Sequence, residues 1–305
     1  MSNKILALKI DVDTHDGMKN GVPALLEDLD SLGLKATFCL SFGPDNAGKA
    51  IFRLFKDIRF LKKMLKTGAP KLYGLRTILS GTLLPARPIA TAFPDICKRI
   101  KSQGHEVIVH AWDHRKWQDH LHKMNINEIR DEFKRAFLAF KNIFGIPPKA
   151  VAAPGWQVNE NSLIVQDELS LLYASDLRES VPCFLKVKDR IFYTLQIPTT
   201  GPCLEELLAM GIKDENSLMT GLLKGIRERD IAVLALHAEV EGGPFRRFFK
   251  DFAKKYLKDS YKILTLEEIA NSLLKDIHSI PICELGQIEL PGRAGMVATG
   301  VLKPL

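Results

Sequence analysis

The chain has few cysteines and lacks long apolar runs. Its five cysteines are scattered and form no CxxC pair, so the sequence predicts neither a disulfide framework nor a zinc site built on thiolates. A reducing compartment fits this composition, and we expect a cytoplasmic protein. No run reaches the roughly 18 to 20 apolar residues of a membrane span. The first residues, "MSNKILALKIDVD", are predicted to form a strand rather than a signal peptide.

Positive charge is concentrated in one segment. Residues 47–76 contain nine Lys or Arg and a single Asp, a net charge of +8 in a chain whose total is +7. Apolar and cationic residues alternate there at helical spacing, which is typical of an amphipathic helix that lies on an anionic membrane. Two other interpretations stay open: a core-packed helix with a basic solvated face, and a nucleic-acid patch, although no recognised nucleic-acid module accompanies it. The predicted membrane-binding residues are Arg53, Lys56, Lys62, Lys63 and Lys66.

Strand-like and helix-like stretches alternate along the chain, and 46% of its 305 residues are hydrophobic. Six or seven β/α repeats predict an α/β fold with a parallel sheet, either open or closed as a barrel. No linker separates two domains, so we expect one catalytic domain over residues 1–275 that includes a basic insertion at 47–90. The Gly/Pro-rich residues 276–305 are predicted to be an irregular tail.

The first predicted strand ends in charged residues. In "ILALKIDVDTHDG", Asp11 and Asp13 lie two apart and would point to the same side of the strand. Two close carboxylates repel each other unless a proton, a cation or a metal ion lies between them. A solvated turn with helix-capping aspartates would explain this stretch equally well on its own.

Further polar residues follow other predicted strands. In "HAWDH", His110 and His114 lie four apart, so that a first helical turn would present both imidazoles on one side. Two histidines and one carboxylate form a three-ligand site for a divalent metal. His237 follows another apolar strand, where a structural histidine is as good an interpretation as a catalytic one. Parallel α/β folds build their active sites at the carboxyl ends of the strands, which favours a shared site.

These motifs together resemble a known family. "IDVDT", "HAWDH", "AAPGW", "YASD" and "LALHAEVEG" occur in the order and spacing of the polysaccharide deacetylase (NodB-homology) superfamily of metal-dependent amide hydrolases. The resemblance implies a NodB-type distorted (β/α)7-like barrel with parallel strands. It also implies a divalent metal ion, which could be zinc, manganese or cobalt.

The resemblance assigns roles to individual residues. It implies that Asp11 is the general base, that His237 is the general acid, and that Asp176 orients His237 or raises its pKa. The implied metal ligands are Asp13, His110 and His114. The substrate-binding candidates are Trp156, Arg115, Arg178 and Glu239.

One position departs from the family pattern. The third motif usually carries an arginine two residues before its proline, and Ala152 stands there in "AAPGW". The tuning of Asp11 by that arginine is therefore in question, and Arg115 and Arg178 are the candidates to replace it.

Additional stretches, including "GVPALL", "FGPDN", "SGTLLP" and "HAEVEG", are similar to one branch of the superfamily. That branch removes formate from 4-deoxy-4-formamido-L-arabinose carried on undecaprenyl phosphate, in lipid A modification and resistance to cationic antimicrobial peptides. This similarity implies a lipid-linked substrate and a peripheral position on the cytoplasmic face of the bacterial inner membrane, without a nucleic-acid partner.

Two alternatives remain at the level of sequence. The first is another hydrolase of the same superfamily that acts on an N-acetylated glycan or a small cyclic amide. The second is a non-catalytic protein that binds a membrane surface or nucleic acid on a degenerate hydrolase fold. The presence of every implied base, ligand and acid position argues against the second alternative.

Overall fold

The computed structural model describes residues 4–50, 77, 79–258 and 260–302. Eleven strands in these ranges belong to one mixed sheet. They are β1 Ile5–Val12, β2 Thr37–Ser41, β3 Glu106–Ala111, β4 Ala150–Val151, β5 Tyr173–Ala174, β6 Cys183–Val187, β7 Arg190–Gln196, β8 Ile231–His237, β9 Lys262–Ile263, β10 Ile282–Glu289 and β11 Met296–Val301.

Seven of these strands form a parallel ring, in the order β7-β5-β4-β3-β2-β1-β8. Just after β7, the Thr200 N–H donates to the carbonyl of Val233 in β8, at 2.9 Å. The Val233 N–H donates in turn to the Thr200 hydroxyl oxygen, at 3.0 Å. These two bonds join the ends of the ring, so the predicted barrel-like arrangement of seven strands is confirmed.

Helices cover the outside of the ring, as the alternating sequence pattern predicts. The α-helices in the described ranges are α1 Val22–Leu32, α2 Pro94–Ser102, α3 His114–His120, α4 Ile126–Phe144, α5 Glu160–Glu168, α6 Leu204–Ala209, α7 Glu215–Arg227, α8 Ala238–Glu241, α9 Arg246–Phe252 and α10 Leu266–Leu273. A capping box caps the N-terminus of α10, where Thr265 and Glu268 exchange hydrogen bonds at the spacing that the sequence predicts. No helix in these ranges is both long and apolar enough to cross a membrane.

The alternation of side chains along β1 decides what enters the ring. Leu6, Leu8 and Ile10 pack in the core cluster that contains the residues of the surrounding helices. Ala7 belongs instead to a second cluster, which contains residues of other ring strands together with residues of α10 and β6. Since side chains two apart share a face, Lys9 and Asp11 follow Ala7 on the inward side.

The tail differs from its prediction. Residues 276–305 were expected to be irregular, but β10 and β11 form an antiparallel pair, and β10 pairs in parallel with β6. The strands β6 and β7, also antiparallel, extend the sheet beyond the ring. The irregular expectation is wrong because the apolar and polar residues of 282–289 and 296–301 form strands in spite of Gly286 and Gly300 within them. Pro291, Gly292 and Gly295 lie in the turn between these strands.

The basic insertion is described only in part. Residues 47–50 form a 3-10 turn, and the next described residues are 77 and 79–258. The predicted membrane-binding residues Arg53, Lys56, Lys62, Lys63 and Lys66 lie outside the described residues.

Candidate active site

The carboxyl ends of the ring strands bring the predicted metal ligands together. Asp13 follows β1, His110 is near the end of β3, and His114 begins α3. His110 Nε2 lies 3.2 Å from Asp13 Oδ1, and His114 Nε2 lies 3.2 Å from Asp13 Oδ2. One ligand atom from each residue lies within 4.8 Å of the others, a spacing that suits a single divalent ion.

The local sequence "HAWDH" explains how the two histidines converge. The strand β3 ends at Ala111, and Asp113 caps the next helix by accepting a hydrogen bond from the Lys116 N–H at 3.0 Å. The two imidazole centroids are 5.1 Å apart. His110 Nδ1 lies 2.7 Å from the carbonyl oxygen of Ala152. If Nδ1 carries the proton, this contact leaves Nε2 free to bind a metal.

Asp11 lies beside this group and is almost fully buried. Its Oδ2 accepts a hydrogen bond from Lys9 Nζ at 2.9 Å, whereas Oδ1 has no hydrogen-bond partner among the described residues. Burial raises the pKa of Asp11, but the charge of Lys9, followed by His110 and His237, outweighs that effect and lowers it. Asp11 is therefore held as a carboxylate.

Like Asp11, Asp13 is held in its ionised form. Burial raises the pKa of Asp13, but His114 and His110 together hold it well below its usual value. A carboxylate that remains ionised at neutral pH is the form that binds a divalent cation.

The predicted role of Asp176 is contradicted by its contacts. Its Oδ1 accepts a hydrogen bond from the Ala153 N–H, and its Oδ2 accepts one from Gln166 Nε2, both at 2.6 Å. Glu205 occupies the place beside His237, with Oε1 at 2.8 Å from His237 Nδ1. The sequence prediction failed here because Glu205 lies on α6, an element that the strand-end pattern did not include. Burial raises the pKa of Asp176 to about 6.

His237 ends β8 and is paired in register with Asp11 on β1. Its side chain is 14% exposed. Burial lowers the pKa of His237, but the charge of Glu205, followed by Asp13 and Asp11, raises it well above its usual value. His237 is thus a cationic proton donor at neutral pH.

Two further glutamates lie on α8, directly after His237. Burial, followed by the charge of Asp13, raises the pKa of Glu239 well above its usual value. Burial, followed by the charge of Glu205, raises the pKa of Glu241 to about 8. Glu241 Oε2 accepts a hydrogen bond from the His237 N–H at 2.7 Å. Gly17 packs closely beside Glu239, since a Cβ there would lie 2.5 Å from Glu239 Oε2.

The two arginines that were expected to replace the missing third-motif arginine form ion pairs with other carboxylates. Arg115 donates to Gln118 and Asp119 on its own helix. Arg178 is buried and donates two hydrogen bonds to Glu206, at 2.8 and 2.9 Å. The cation beside Asp11 is Lys9. A lysine inside the apolar stretch "ILALKIDV", two residues before the aspartate, was the available sign in the sequence.

Trp156 forms a wall near this lysine. Its ring centroid lies 5.2 Å from Lys9 Nζ, 4.4 Å from Arg178 Cζ and 4.5 Å from Arg293 Cζ. Arg293 comes from the turn between β10 and β11 and donates to the Gly155 carbonyl at 3.2 Å. The tail therefore contributes to the surroundings of the site, which the expectation of an irregular tail did not anticipate.

Unpaired carboxylate oxygens are concentrated in this region. Among the described residues, one oxygen of each of Asp11, Glu205, Glu239 and Glu241 is buried without a hydrogen-bond partner. Buried acceptors are ordinarily satisfied, and exceptions in a cleft point to a missing ion or ligand. The Asp13, His110 and His114 side chains therefore fit a divalent metal by both donor type and charge.

Comparison with known proteins agrees with this architecture. The family model described as "Polysaccharide deacetylase" matches residues 2–174, and the chain belongs to this family of hydrolases. The protein from Shewanella sediminis named "Probable 4-deoxy-4-formamido-L-arabinose-phosphoundecaprenol deformylase ArnD" is 32% identical over 294 residues, covering 96% of this chain and 93% of its own. The Wigglesworthia glossinidia protein of the same name is 33% identical, covering 92% of this chain and 97% of its own.

Solved structures share the fold at lower identity. A structure described as Puue allantoinase has a TM-score of 0.64 and 13% identity, and the match covers 90% of this chain and 91% of that one. A CE4 family pseudoenzyme from Bacillus anthracis has a TM-score of 0.53 and 13% identity, with 88% and 65% of the two chains covered. These likenesses establish the fold alone.

Proposed function

We propose that the protein is a metal-dependent deformylase. Its substrate is 4-deoxy-4-formamido-L-arabinose linked through phosphate to undecaprenol, and its products are the free 4-amino sugar and formate. The observation that carries the proposal is the set of Asp13, His110 and His114 beside a charged Asp11 and a cationic His237. The substrate is supported by full-length relatives of 32% and 33% identity that bear this name.

The metal site is the first requirement of this chemistry. Asp13, His110 and His114 would hold the ion, and the Ala152 carbonyl 2.7 Å from His110 Nδ1 would orient that ring. When bound, a divalent ion polarises the amide carbonyl and lowers the pKa of water. Asp176 supports the same loop, because it accepts a hydrogen bond from Ala153, the residue after Ala152. We assign it a positioning role for His110.

Asp11 serves as the general base. It is ionised, it lies in register with His237 across the β1 and β8 pair, and its Oδ1 is free of other hydrogen bonds among the described residues. Asp11 Oδ1 takes a proton from the attacking water, whose oxygen forms the new bond to the formyl carbon.

His237 serves as the general acid. The departing amine is too basic to leave as an anion, so its nitrogen must be protonated as the C–N bond breaks. The Glu205 carboxylate at 2.8 Å keeps His237 protonated before that step. Glu241 Oε2 accepts a hydrogen bond from the His237 N–H and holds the end of the strand in place.

The remaining candidates surround the substrate. Glu239 has a buried oxygen without a partner among the described residues, which suits a hydroxyl of the sugar. Trp156 provides an apolar face next to Lys9. Arg115 and Arg178 are held by Asp119 and Glu206, so we assign them to the structure of the pocket wall rather than to direct contact.

A lipid-linked substrate requires contact with a membrane surface. The sequence of residues 47–76 carries a net charge of +8, and each basic residue near an anionic leaflet contributes about 1 kcal/mol. Within the described part of the chain, Leu83 is 81% exposed in a turn that begins at Ser80. The Ser80 hydroxyl donates to the Asp45 carbonyl, and the Asp45 side chain accepts a hydrogen bond from the His15 N–H. His15 lies two residues after the metal ligand Asp13, so these contacts connect the exposed turn to the site. We propose that this edge faces the cytoplasmic leaflet of the inner membrane, where the reaction serves lipid A modification and peptide resistance.

The decisive assay measures formate from the lipid-linked formamido sugar, with the N-acetyl analogue of the same lipid as the comparison. The metal-loaded protein should release formate, and chelator-treated protein should not. Asp11→Asn and His237→Ala should retain the metal but lose about 10² to 10⁴ in turnover. Faster release of acetate than of formate would assign the protein to N-acetyl hydrolysis instead, and no release from either lipid would contradict the proposal.

A further inference from the structure

Lys9 is a charged residue in the interior of the strand ring. It lies between Ala7 and Asp11 on the inward face of β1, and its strand neighbours in register are Thr37 on β2 and Ala235 on β8. The side chain has no exposed surface. Burial of an ammonium group is costly, and a lysine persists in such a place only where a specific partner compensates.

The partner of Lys9 is Asp11. The Nζ atom lies 2.9 Å from Asp11 Oδ2 and 5.2 Å from the centroid of the Trp156 ring. Because Lys9 and Asp11 are two residues apart on one strand, the β1 backbone fixes the distance between their Cα atoms. The ion pair therefore forms without any movement of a loop or helix.

This contact makes the two oxygens of Asp11 unequal. Oδ2 is engaged by Lys9, while Oδ1 has no hydrogen-bond partner in the described ranges. A carboxylate in a cleft can rotate about χ2 and present either oxygen unless one is held. The hydrogen bond from Lys9 removes this freedom and determines which oxygen faces the reaction.

We propose that Lys9 is the positioning residue of the general base: it anchors Asp11 through Oδ2 so that Oδ1 receives the proton of the attacking water. In this step an O–H bond of water breaks and its proton goes to Oδ1. The water oxygen forms the bond to the formyl carbon with an electron pair, and the π pair of the C=O bond moves onto the formyl oxygen. The inference rests on the proposed hydrolytic function, since it assigns the orientation of that function's base.

A merely structural lysine would have different consequences from a positioning one. Removing a structural ion pair lowers stability and leaves the catalytic step alone. Removing a positioning contact lowers kcat with little change in KM or in metal content, because Asp13, His110 and His114 remain in place. A conservative replacement that still donates to Oδ2 should restore kcat.

The experiment compares Lys9→Met, Lys9→Gln and Lys9→Arg in the metal-loaded protein. We expect Lys9→Met to lose about 10²-fold or more in kcat, with KM within threefold of wild type and one metal ion still bound per chain. The kcat of Lys9→Arg should be at least tenfold higher than that of Lys9→Met. Lys9→Gln keeps a neutral donor, and its kcat should lie between those of Lys9→Met and Lys9→Arg. This variant also tests the proposal if Lys9→Met does not fold.

The matched control is Tyr173→Phe, which removes one hydrogen bond to Glu106 and leaves the hydrogen bond from Lys9 to Asp11 in place. It should lower the melting temperature without changing kcat. A loss of kcat in Lys9→Met that is no greater than in Tyr173→Phe, or equal kcat in Lys9→Arg and Lys9→Met, would overturn the proposal.

A crystal structure of each Lys9 variant separates this inference from the proposed function. The Asp11 carboxylate should keep its orientation in Lys9→Arg and rotate in Lys9→Met, whether or not any substrate is turned over. An unchanged Asp11 orientation in Lys9→Met would overturn the positioning role. A wild-type protein that releases no formate would contradict only the proposed function.

Discussion

Both ends of the strand ring contain carboxyl groups that are partly or fully shielded from solvent, but their hydrogen bonding differs. At the amino end, both oxygens of Glu106 are satisfied: Tyr173 Oη donates to Oε1 at 2.6 Å, and the Thr37 hydroxyl and the Glu267 N–H donate to Oε2 at 2.6 and 2.9 Å. At the carboxyl end, one oxygen each of Asp11, Glu239 and Glu241 is buried without a hydrogen-bond partner among the described residues.

This difference separates stability from chemistry. A buried, fully hydrogen-bonded network stabilises one conformation, whereas unpaired buried acceptors destabilise the protein by themselves. Unpaired acceptors that cluster beside Asp13, His110 and His114 imply that something else completes their coordination or hydrogen bonding. The hydrogen-bonded network at the amino end thus stabilises the fold, whereas the carboxyl end is suited to bind an ion and a substrate.

The largest effect should come from the ligands at the carboxyl end. His114→Ala removes one of three metal ligands while leaving the ring strands intact, because His114 begins α3 outside β3. Metal affinity should fall by more than the roughly 10- to 100-fold that is typical of losing a residue that only orients a ligand, and turnover should fall to background. Metal analysis after dialysis measures this, and wild-type metal content in the variant would remove His114 from the ligand set.

The next effect concerns the proton donor. In the wild type, the Glu205 carboxylate lies 2.8 Å from His237 Nδ1 and raises the pKa of His237. Glu205→Gln removes this charge. The protonated ring is then less stable, so the decline of turnover at alkaline pH should begin at least about one pH unit lower than in wild type. The pH profile of kcat tests this, and an unmoved alkaline limb would show that Glu205 does not tune the acid.

A smaller effect is expected at the amino end. Glu106→Gln replaces an acceptor of three hydrogen bonds with a group that cannot accept them all, and we expect a loss of about 1–3 kcal/mol in unfolding free energy. Turnover of the folded variant should stay at the wild-type value. Urea unfolding and kcat measured together check both statements, and a large loss of kcat would contradict the division between the two ends.

The smallest expected effect is a gain in stability, where the preceding variants lose function or stability. Burial raises the pKa of Glu239 well above its usual value, so the folded metal-free protein favours the protonated form. That contribution to stability is present below the pKa of the unfolded chain and is lost as pH rises through the folded pKa. Glu239→Gln should therefore stabilise the metal-free protein at neutral pH by about 0.5–2 kcal/mol. Equal or lower stability would mean that Glu239 is paired in solution.

The sequence predicted the parts of the site that follow from periodicity. The two-residue spacing of Asp11 and Asp13 and the four-residue spacing of His110 and His114 determine their relative directions once a strand and a helix are assigned. Ring topology then brings the strand ends together, because parallel strands share one carboxyl edge.

The missed parts depend on contacts between distant segments. Glu205 lies 32 positions before His237 on a short helix, and no local pattern connects the two. The assignment of Asp176 failed because its position in the chain does not reveal that Ala153 and Gln166 occupy both oxygens. Lys9 could have been found, since a lysine in an apolar inward-facing strand needs a partner.

The most direct test of the account is calorimetric titration of a divalent metal into chelator-stripped protein, for wild type and for Asp13→Ala. The account predicts one ion per wild-type chain and no comparable binding to Asp13→Ala. Wild-type protein that binds no ion, or Asp13→Ala that binds it as tightly as wild type, would contradict the claim that the carboxyl end of the ring is a metal centre.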